Sequence, residues 1–238
     1  MKKYIFLSAI LILFAAAIPC LSETQQVGSY KIIDNFNSYK IGKFPSSWRT
    51  WPFQRGKASE IYHVEEENGL KFIHGFDDKN YSIQALNKFF WQIDKYPYLS
   101  WKWRARILPE GAREDDGSKN DSACGVYVII GQWDGQTIKY VWSTSLPIGT
   151  EVSRRNGKLK VSVLETSSKN LNNWKQKSIN VTADYEKLFG KKLDKNPTGI
   201  AILTDGNAVH KPSSCDYTDF IISKEPIGKS EKPTTSGK

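Results

Sequence analysis

Oxygen-bearing side chains that could bind a ligand are concentrated where apolar segments begin or end. Asn120 and Asp121 precede one apolar segment, and Asp205 directly follows another. If the segment before Asp205 pairs antiparallel with the next apolar segment, Asp216 lies at the same end of the sheet. The sequence therefore predicts a single ligand site at one sheet end, formed by Asn120, Asp121, Asp205 and Asp216.

Carboxylates gathered in one site repel each other, so the predicted site needs a compensating group. A calcium ion could compensate, because calcium prefers several oxygen ligands, and Asp121 and Asp205 are then the predicted metal ligands. Arginine, lysine or backbone N–H groups could compensate equally well, and then no cofactor is needed. The alternative to a ligand site is a set of Asx turns that cap strand ends.

A regular alternation over Tyr98–Leu108 separates two kinds of side chain. Trp101 and Trp103 point one way, and Arg104 and Arg106 point the other way, because successive side chains of a strand face opposite sides. We expect the tryptophans in the core and the arginines on the outer face of the sheet. The arginines could attract an anionic glycan, or they could belong to an ordinary solvated face.

Residues 1–22 are typical of a secretory signal peptide. Lys2 and Lys3 precede the apolar stretch Tyr4–Ile18, which is too short for a comfortable membrane span, and cleavage is expected before Glu23. Acylation of Cys20, as in a lipoprotein, is the less favoured alternative. No later segment of the sequence approaches a membrane-spanning length. The expected location is therefore the periplasm or the outside of the cell.

Two cysteines, Cys124 and Cys215, remain after such a cleavage. An oxidising compartment allows a disulfide between them, with two buried thiols as the alternative. The Cα atoms of a disulfide lie within about 7 Å of each other. A bridge would therefore bring Asn120 and Asp121 towards Asp216.

Short segments rich in Val, Ile, Tyr, Trp and Thr, separated by Gly, Asn, Asp and Pro, predict an all-β fold. One short helix is expected over Ala183–Phe189, with Thr182 as its N-cap and Gly190 at its end. We expect an antiparallel β-sandwich of jelly-roll, galactose-binding-like or concanavalin-like type, with one domain over 23–224 and a disordered tail over 225–238. The predicted strands are Tyr30–Phe36, Ser59–Glu65, Gly69–His74, Ser82–Gln92, Tyr98–Leu108, Cys124–Gly131, Thr137–Thr144, Leu159–Glu165, Trp174–Val181, Thr198–Thr204 and Tyr217–Ser223.

The composition fits a folded, basic, globular chain. Lys and Arg number 34 against 25 Asp and Glu, a net charge of +9, and 39% of the residues are hydrophobic. The positive charge permits nucleic-acid binding, but export and the diffuse charge argue against nucleic acid as a partner. The sequence contains neither a G-x-S-x-G nor an H-E-x-x-H pattern, so no hydrolase motif stands out.

The sequence contains 8 tryptophans, which favours a sugar-binding interpretation because aromatic rings stack on the apolar faces of sugars. Trp48, Trp51 and Phe53 lie in a loop-like segment and are the best candidates for exposure. Alternatively, these three rings are buried and close the core at one end of the β-sandwich.

Several short motifs occur in order along 30–223. They are Pro97-Tyr98-Leu99-Ser100-Trp101-Lys102-Trp103-Arg104, Leu108-Pro109, Lys119-Asn120-Asp121, Tyr140-Val141-Trp142, Asp184-Tyr185, Phe189-Gly190, Gly199-Ile200-Ala201, Thr204-Asp205 and Tyr217-Thr218-Asp219. Together they resemble a bacterial exported family catalogued as a domain of unknown function, number three thousand and forty-seven. The opening, Asp34-Asn35-Phe36 with Phe44-Pro45-Ser46-Ser47-Trp48, also resembles galactose-binding-like sandwich domains. The resemblance implies an exported β-sandwich and implies no activity or ligand.

Three hypotheses about function remain open at this point. The favoured one is a carbohydrate-binding module of the cell envelope, with a polysaccharide or an anionic envelope glycan as its partner. An enzyme that acts on glycans through Asp121, Asp205 or Asp216 is the first alternative, because glycoside hydrolysis needs only two suitably spaced carboxylates. A non-catalytic structural protein of the envelope is the second.

Overall fold

The computed structural model describes residues 29–131 and 135–228. This part of the chain contains two α-helices, α1 over Arg55–Ile61 and α2 over Val181–Phe189. The strands, in chain order, are β1 Tyr30–Asp34, β2 Tyr62–Glu67, β3 Leu70–Asp77, β4 Ala85–Lys88, β5 Tyr98–Ile107, β6 Cys124–Ile130, β7 Gln136–Ser143, β8 Glu151–Arg154, β9 Leu159–Thr166, β10 Lys175–Asn180, β11 Pro197–Leu203 and β12 Ser213–Ser223.

The strands form two six-stranded sheets that pack face to face. The first sheet has the order β10-β5-β12-β3-β2, with β1 paired to the second half of β12. The second sheet has the order β4-β11-β6-β7-β9-β8. Among the described strands, β7 and β9 run parallel and the other pairs are antiparallel. The predicted all-β, antiparallel sandwich is confirmed, with this one parallel pair added.

The core between the sheets is built from aromatic rings that alternation directs inward. Trp101 and Trp103 of β5 are fully buried, as predicted. The Trp101 ring lies 5.8 Å from the Tyr140 ring, and the Trp103 ring lies 6.2 Å from the Trp142 ring, centroid to centroid. These contacts join β5 of the first sheet to β7 of the second. The two sheets are thus held together largely by the burial of these rings.

The predicted disulfide between Cys124 and Cys215 is confirmed. The two cysteines are fully buried, and their Cα atoms lie 5.4 Å apart. Cys124 begins β6 of the second sheet and Cys215 lies in β12 of the first sheet. The bridge is therefore a covalent link across the core between the two sheets.

The predicted helix is confirmed as α2, but it begins earlier than predicted. Its N-cap is Asn180 rather than Thr182, because the Asn180 side chain accepts a hydrogen bond from the Ala183 N–H at 3.0 Å. Gly190 ends the helix in the left-handed conformation, with φ of 68°. Helix α1 and strand β8 were not predicted. The start of the predicted strand Ser59–Glu65 is the end of α1, where Ala58 and Ile61 share the buried side of the helix.

Three predictions concern residues that are wholly or mostly undescribed. The predicted signal peptide, the lipidation alternative at Cys20 and most of the predicted tail lie outside the described residues. Over 225–228 the chain still contacts the domain, because the Ile227 N–H donates to Ser178 Oγ at 2.9 Å. Neither helix in the described ranges is long and apolar enough to cross a membrane.

Candidate functional site

A continuous groove crosses the outer face of the second sheet, on the side away from the core. Two adjoining cavities of about 520 and 650 Å³ lie there. Both cavities are lined by Trp51, Gln84, Tyr127, Arg155 and Leu159, so they are two halves of one depression. Each half has a volume typical of ligand-binding clefts.

The floor of the groove is apolar and one rim carries an aromatic ring. Tyr127, Ala201 and Leu203 form a buried cluster on the floor, and Leu159 packs against it. Trp51 stands at the rim and is 55% exposed. Exposed rings and aliphatic side chains at a cleft are the surfaces on which an apolar ligand face can rest.

One half of the groove, here called the polar half, is lined by Glu114, Lys139, Arg154 and Asp205. Glu114 is buried and accepts hydrogen bonds from Ser122 Oγ at 2.9 Å and from Ser143 Oγ at 2.6 Å. Lys139 Nζ donates to the same Ser122 Oγ at 3.2 Å. A charged network thus lies directly beneath the surface of the groove.

Lys139 is the compensating cation of this network. Burial alone would lower the pKa of Lys139, but the neighbouring Tyr127, Asp205 and Glu114 outweigh burial, and the pKa is raised. Lys139 therefore stays protonated at neutral pH. Of the compensating groups predicted from the sequence, which were calcium, arginine, lysine and backbone N–H groups, a lysine fills this role.

Asp205 is a carboxyl group of this network with a strongly raised pKa. Burial raises the pKa of Asp205 to about 6, although the Lys139 ammonium opposes the rise. Ser82 Oγ donates to Asp205 Oδ2 at 3.1 Å. Burial also raises the pKa of Asp121, whose Oδ2 accepts the Val209 N–H at 2.9 Å. A carboxylate held at a cost in free energy inside a cleft is typical of a functional site.

The raised pKa of Asp205 predicts a stability that falls as pH rises. The folded state holds the proton up to about pH 6, whereas the unfolded carboxyl releases it near its ordinary pKa of 3.8. The free energy of unfolding therefore falls by about 3 kcal/mol between about pH 4 and pH 6, as follows from a pKa difference of this size. Asp205→Asn should remove this part of the pH dependence of unfolding, as measured by urea titration from pH 4 to pH 7.

Asp116→Asn is the control for this measurement. Hydrogen bonds from Ser118 lower the pKa of Asp116, so its contribution to stability is constant above about pH 4 and is lost below that pH. Asp116→Asn should therefore shift the profile by a constant amount between about pH 4 and pH 7 and leave its pH dependence in that range unchanged. Parallel pH profiles of the wild type and Asp205→Asn between pH 4 and pH 6 would contradict the assignment.

The other half of the groove, here called the cationic half, contains Arg49, Lys88 and Arg155. All three side chains belong to exposed residues. Arg49 and Leu86 exchange backbone hydrogen bonds of 2.8 and 2.7 Å, which fixes the Arg49 loop against β4. Arg155 stands at the opposite edge of the sheet, in the turn that joins β8 to β9.

The structure divides the site predicted from the sequence. Asp205 and Asn120 line the polar half, and Asp121 is buried close enough for its charge to raise the pKa of Asp205. Asp216 does not join them, because it lies in β12 of the first sheet and faces the outside of that sheet. Cys215 points into the core, so alternation turns Asp216 away from the core. The prediction of one shared pocket for all four side chains is therefore wrong for Asp216.

Arg104 and Arg106 surround Asp216 on the first sheet, far from the groove. Arg104 Nε lies 2.8 Å and Arg106 Nε 2.7 Å from Asp216 Oδ2, and His74 Nδ1 lies 2.6 Å from Asp216 Oδ1. The Asp216 side chain has 0% exposure, and that of Arg104 has 8%. The predicted cationic row is thus neutralised by Asp216, and a ligand has no access to that carboxylate.

The calcium prediction receives no support from the arrangement of side chains. In 29–131 and 135–228, no three His, Cys, Asp or Glu residues lie close enough together to hold a metal ion. Asp121 and Asp205, the predicted ligands, are instead associated with Lys139 and with backbone or hydroxyl donors.

A comparison with protein families shows to which family the chain belongs. The family model described as "Protein of unknown function (DUF3047)" matches residues 46–221. The chain belongs to this family. The resemblance inferred from the sequence motifs is therefore confirmed. No curated protein matches the chain.

Solved structures similar to this member of the family include three carbohydrate-binding modules. The family 29 module from Piromyces equi has 10% identity and a TM-score of 0.37, covering 85% of this chain and 94% of that one. The family 11 module from a cellulosomal cellulase of Clostridium thermocellum has 11% identity and a TM-score of 0.39, covering 82% and 94%. The module TmCBM61, solved with β-1,4-galactotriose, has 12% identity and a TM-score of 0.38, covering 77% and 92%. With TM-scores below 0.5, these likenesses do not extend to a ligand.

Most residues of the groove were not predicted from the sequence. Tyr127 lies in a strand that is apolar on both faces, and Lys139 lies in a strand of mixed character. Only the order of the strands in the folded sheet places the two side chains on the same face of that sheet. Trp51 was a candidate for exposure and is exposed, as is Phe53. Trp48, proposed for exposure with them, is fully buried, and its Nε1 donates to Asp34 Oδ2 at 2.8 Å.

Proposed function

We propose that this protein binds polysaccharide along the groove of the second sheet. The supporting observation is that one open groove combines an exposed tryptophan at its rim, an apolar floor and polar side chains at depth. A pyranose ring presents an apolar face and a ring of hydroxyl groups. Such a ligand needs an aromatic or aliphatic surface for the first and hydrogen-bonding groups for the second.

The dimensions of the groove favour a chain of sugars over a single sugar. Its lining residues come from β4 at one edge of the sheet to β8 at the other. Six neighbouring strands span roughly 24 Å, at about 4.8 Å per step. A groove of this length accommodates several consecutive sugar residues.

The proposed place of action is the periplasm or the exterior of the cell. The disulfide between Cys124 and Cys215 is buried across the core, and structural disulfides are typical of proteins in oxidising compartments. Polysaccharides of the envelope and of its surroundings are available there.

Trp51→Ala is expected to weaken polysaccharide binding by about tenfold or more. Truncation removes the exposed ring of the rim, and burial of such a ring by a ligand contributes about 1.5–3 kcal/mol. The experiment is a glycan array with neutral and acidic polysaccharides, followed by isothermal titration of the glycan that binds. Phe53→Ala is the matched control, because Phe53 is fully exposed two residues away and does not line the groove.

Two results would contradict the proposal. One is the absence of binding to every polysaccharide of the array at low salt. The other is equal binding by the wild type and Trp51→Ala with both proteins folded.

A further inference from the structure

The cationic half of the groove brings together three cations that have no acidic partner among the described residues. Some other exposed cations of the protein do lie beside acids, as in Lys79 with Glu60 at 3.2 Å and Lys187 with Glu151 at 2.5 Å. Arg49, Lys88 and Arg155 form no such ion pair within 29–131 and 135–228. In the same ranges no carboxylate lines their half of the groove. Among the described residues, three positive charges therefore face one cleft without a counter-charge.

These three cations approach the groove from opposite edges of the sheet. Arg49 and Lys88 belong to the β4 edge, and Arg155 belongs to the β8 edge. A ligand that lies across the sheet would therefore meet positive charge at both of its ends. The floor between them is provided by Ile129 and Leu159.

The chemistry of the three side chains indicates the ligand. Guanidinium groups bind carboxylates through two parallel hydrogen bonds, and a lysine ammonium adds a point charge. The net charge of +9 also draws acidic polymers towards the protein over long range. A neutral glycan would use neither property.

We infer that the polysaccharide bound in the groove is acidic, with uronate carboxylates held by Arg49, Lys88 and Arg155. This inference rests on the proposed function, since it names the class of glycan for the same groove. It assigns the carboxylates to the cationic half and the uncharged sugar faces to Trp51 and the apolar floor. The outward-facing cations of β5, which are Lys102, Arg104 and Arg106, take no part because Asp216 and Asp219 neutralise them.

The test compares acidic polymers with uncharged derivatives that keep the same sugar backbone. Polygalacturonate is paired with its fully methyl-esterified form, and alginate with its carboxyl-reduced form. Binding to the full-length protein is measured at low and high salt. At least one acidic polymer should bind about tenfold more tightly than its neutral counterpart, and high salt should reduce the difference.

Two triple variants that lose the same charge distinguish direct contact with the ligand from an effect of the net charge of the protein. Arg49→Gln/Lys88→Gln/Arg155→Gln should lose the preference, so that the acidic polymer and its neutral counterpart bind with similar affinity. Lys191→Gln/Lys192→Gln/Lys195→Gln removes the same charge from exposed residues outside the groove and should keep the preference.

The possible failures can be told apart. Equal binding of acidic and neutral polymers, or binding of neutral polymers alone, would overturn the inference and leave the proposed function standing. Equal losses in the two triple variants would overturn it as well. Absence of binding to every polymer would overturn the proposed function and the inference together.

Discussion

Asp216→Asn is expected to destabilise the fold by about 3–5 kcal/mol. The substitution keeps the shape of the side chain and removes the charge that Arg104 and Arg106 share. Arg104 is almost fully buried, and within the described residues it would keep Glu67 as its one acidic partner, at 2.6 Å. A buried cation that loses its counter-charge costs several kcal/mol. The measurement is the free energy of unfolding in urea at pH 7.

Asp219→Asn provides a matched control on the same strand. Asp219 pairs with Lys102 at 2.9 Å, but both side chains are partly exposed, at 26% and 36%. Exposed ion pairs contribute less than about 1 kcal/mol. Asparagine also tolerates the left-handed backbone of residue 219, where φ is 54°. Equal losses of stability in the two variants would show that Asp216 is not the centre of a buried network.

The result also separates two roles for Asp216. A ligand-binding carboxylate, as the sequence analysis predicted, would affect affinity with little effect on stability. A buried partner of two arginines should affect stability first, with the groove on the other sheet retaining its affinity. Titration of a groove-binding glycan into folded Asp216→Asn distinguishes these outcomes.

Loss of the disulfide is the second change with a large expected effect. Cys124→Ala/Cys215→Ala should lower the free energy of unfolding by about 3–5 kcal/mol, because the bridge closes a loop with a sequence separation of 91. The bridge also links β6, which forms part of the groove floor, to the opposite sheet. Thermal unfolding followed by circular dichroism measures the loss.

Reduction of the wild type supplies the control for this prediction. Unfolding in the presence of a reductant should match that of the double variant, and the reductant should leave the variant unchanged. A wild type whose melting temperature is the same with and without reductant would contradict a stabilising bridge.

Features that depend on local alternation could be read from the sequence. The inward placement of Trp101 and Trp103 follows from the period of two along β5, and it was predicted correctly. Each predicted strand overlaps an observed one, and α2 ends at Gly190 as expected. The one strand that was missed, β8, is a short edge strand with partly exposed side chains, so it lacks the apolar signal of a buried strand.

Features that depend on the order of strands could not be read from the sequence. Lys139 lies next to Asp205 because β7 and β11 both flank β6, a relation that no local pattern encodes. The wrong prediction for Asp216 has a different origin, because the sequence contained the information needed to avoid it. A core disulfide at Cys215 already requires that Asp216 face away from the core. The prediction instead assumed that all acidic residues at strand ends share one pocket, which contradicts the alternation of side chains along β12.

The central claim, that the groove of the second sheet binds polysaccharide, is tested most directly by methyl NMR during titration with an oligosaccharide of the glycan that binds. The methyl signals of Leu86, Ile129 and Leu159, which line the groove, should shift with a single saturating curve. Those of Ile32 and Ile41, which are exposed outside the groove, should stay in place. Shifts confined to Ile32, Ile41 or residues of the first sheet, with the groove signals unmoved at saturation, would contradict the claim.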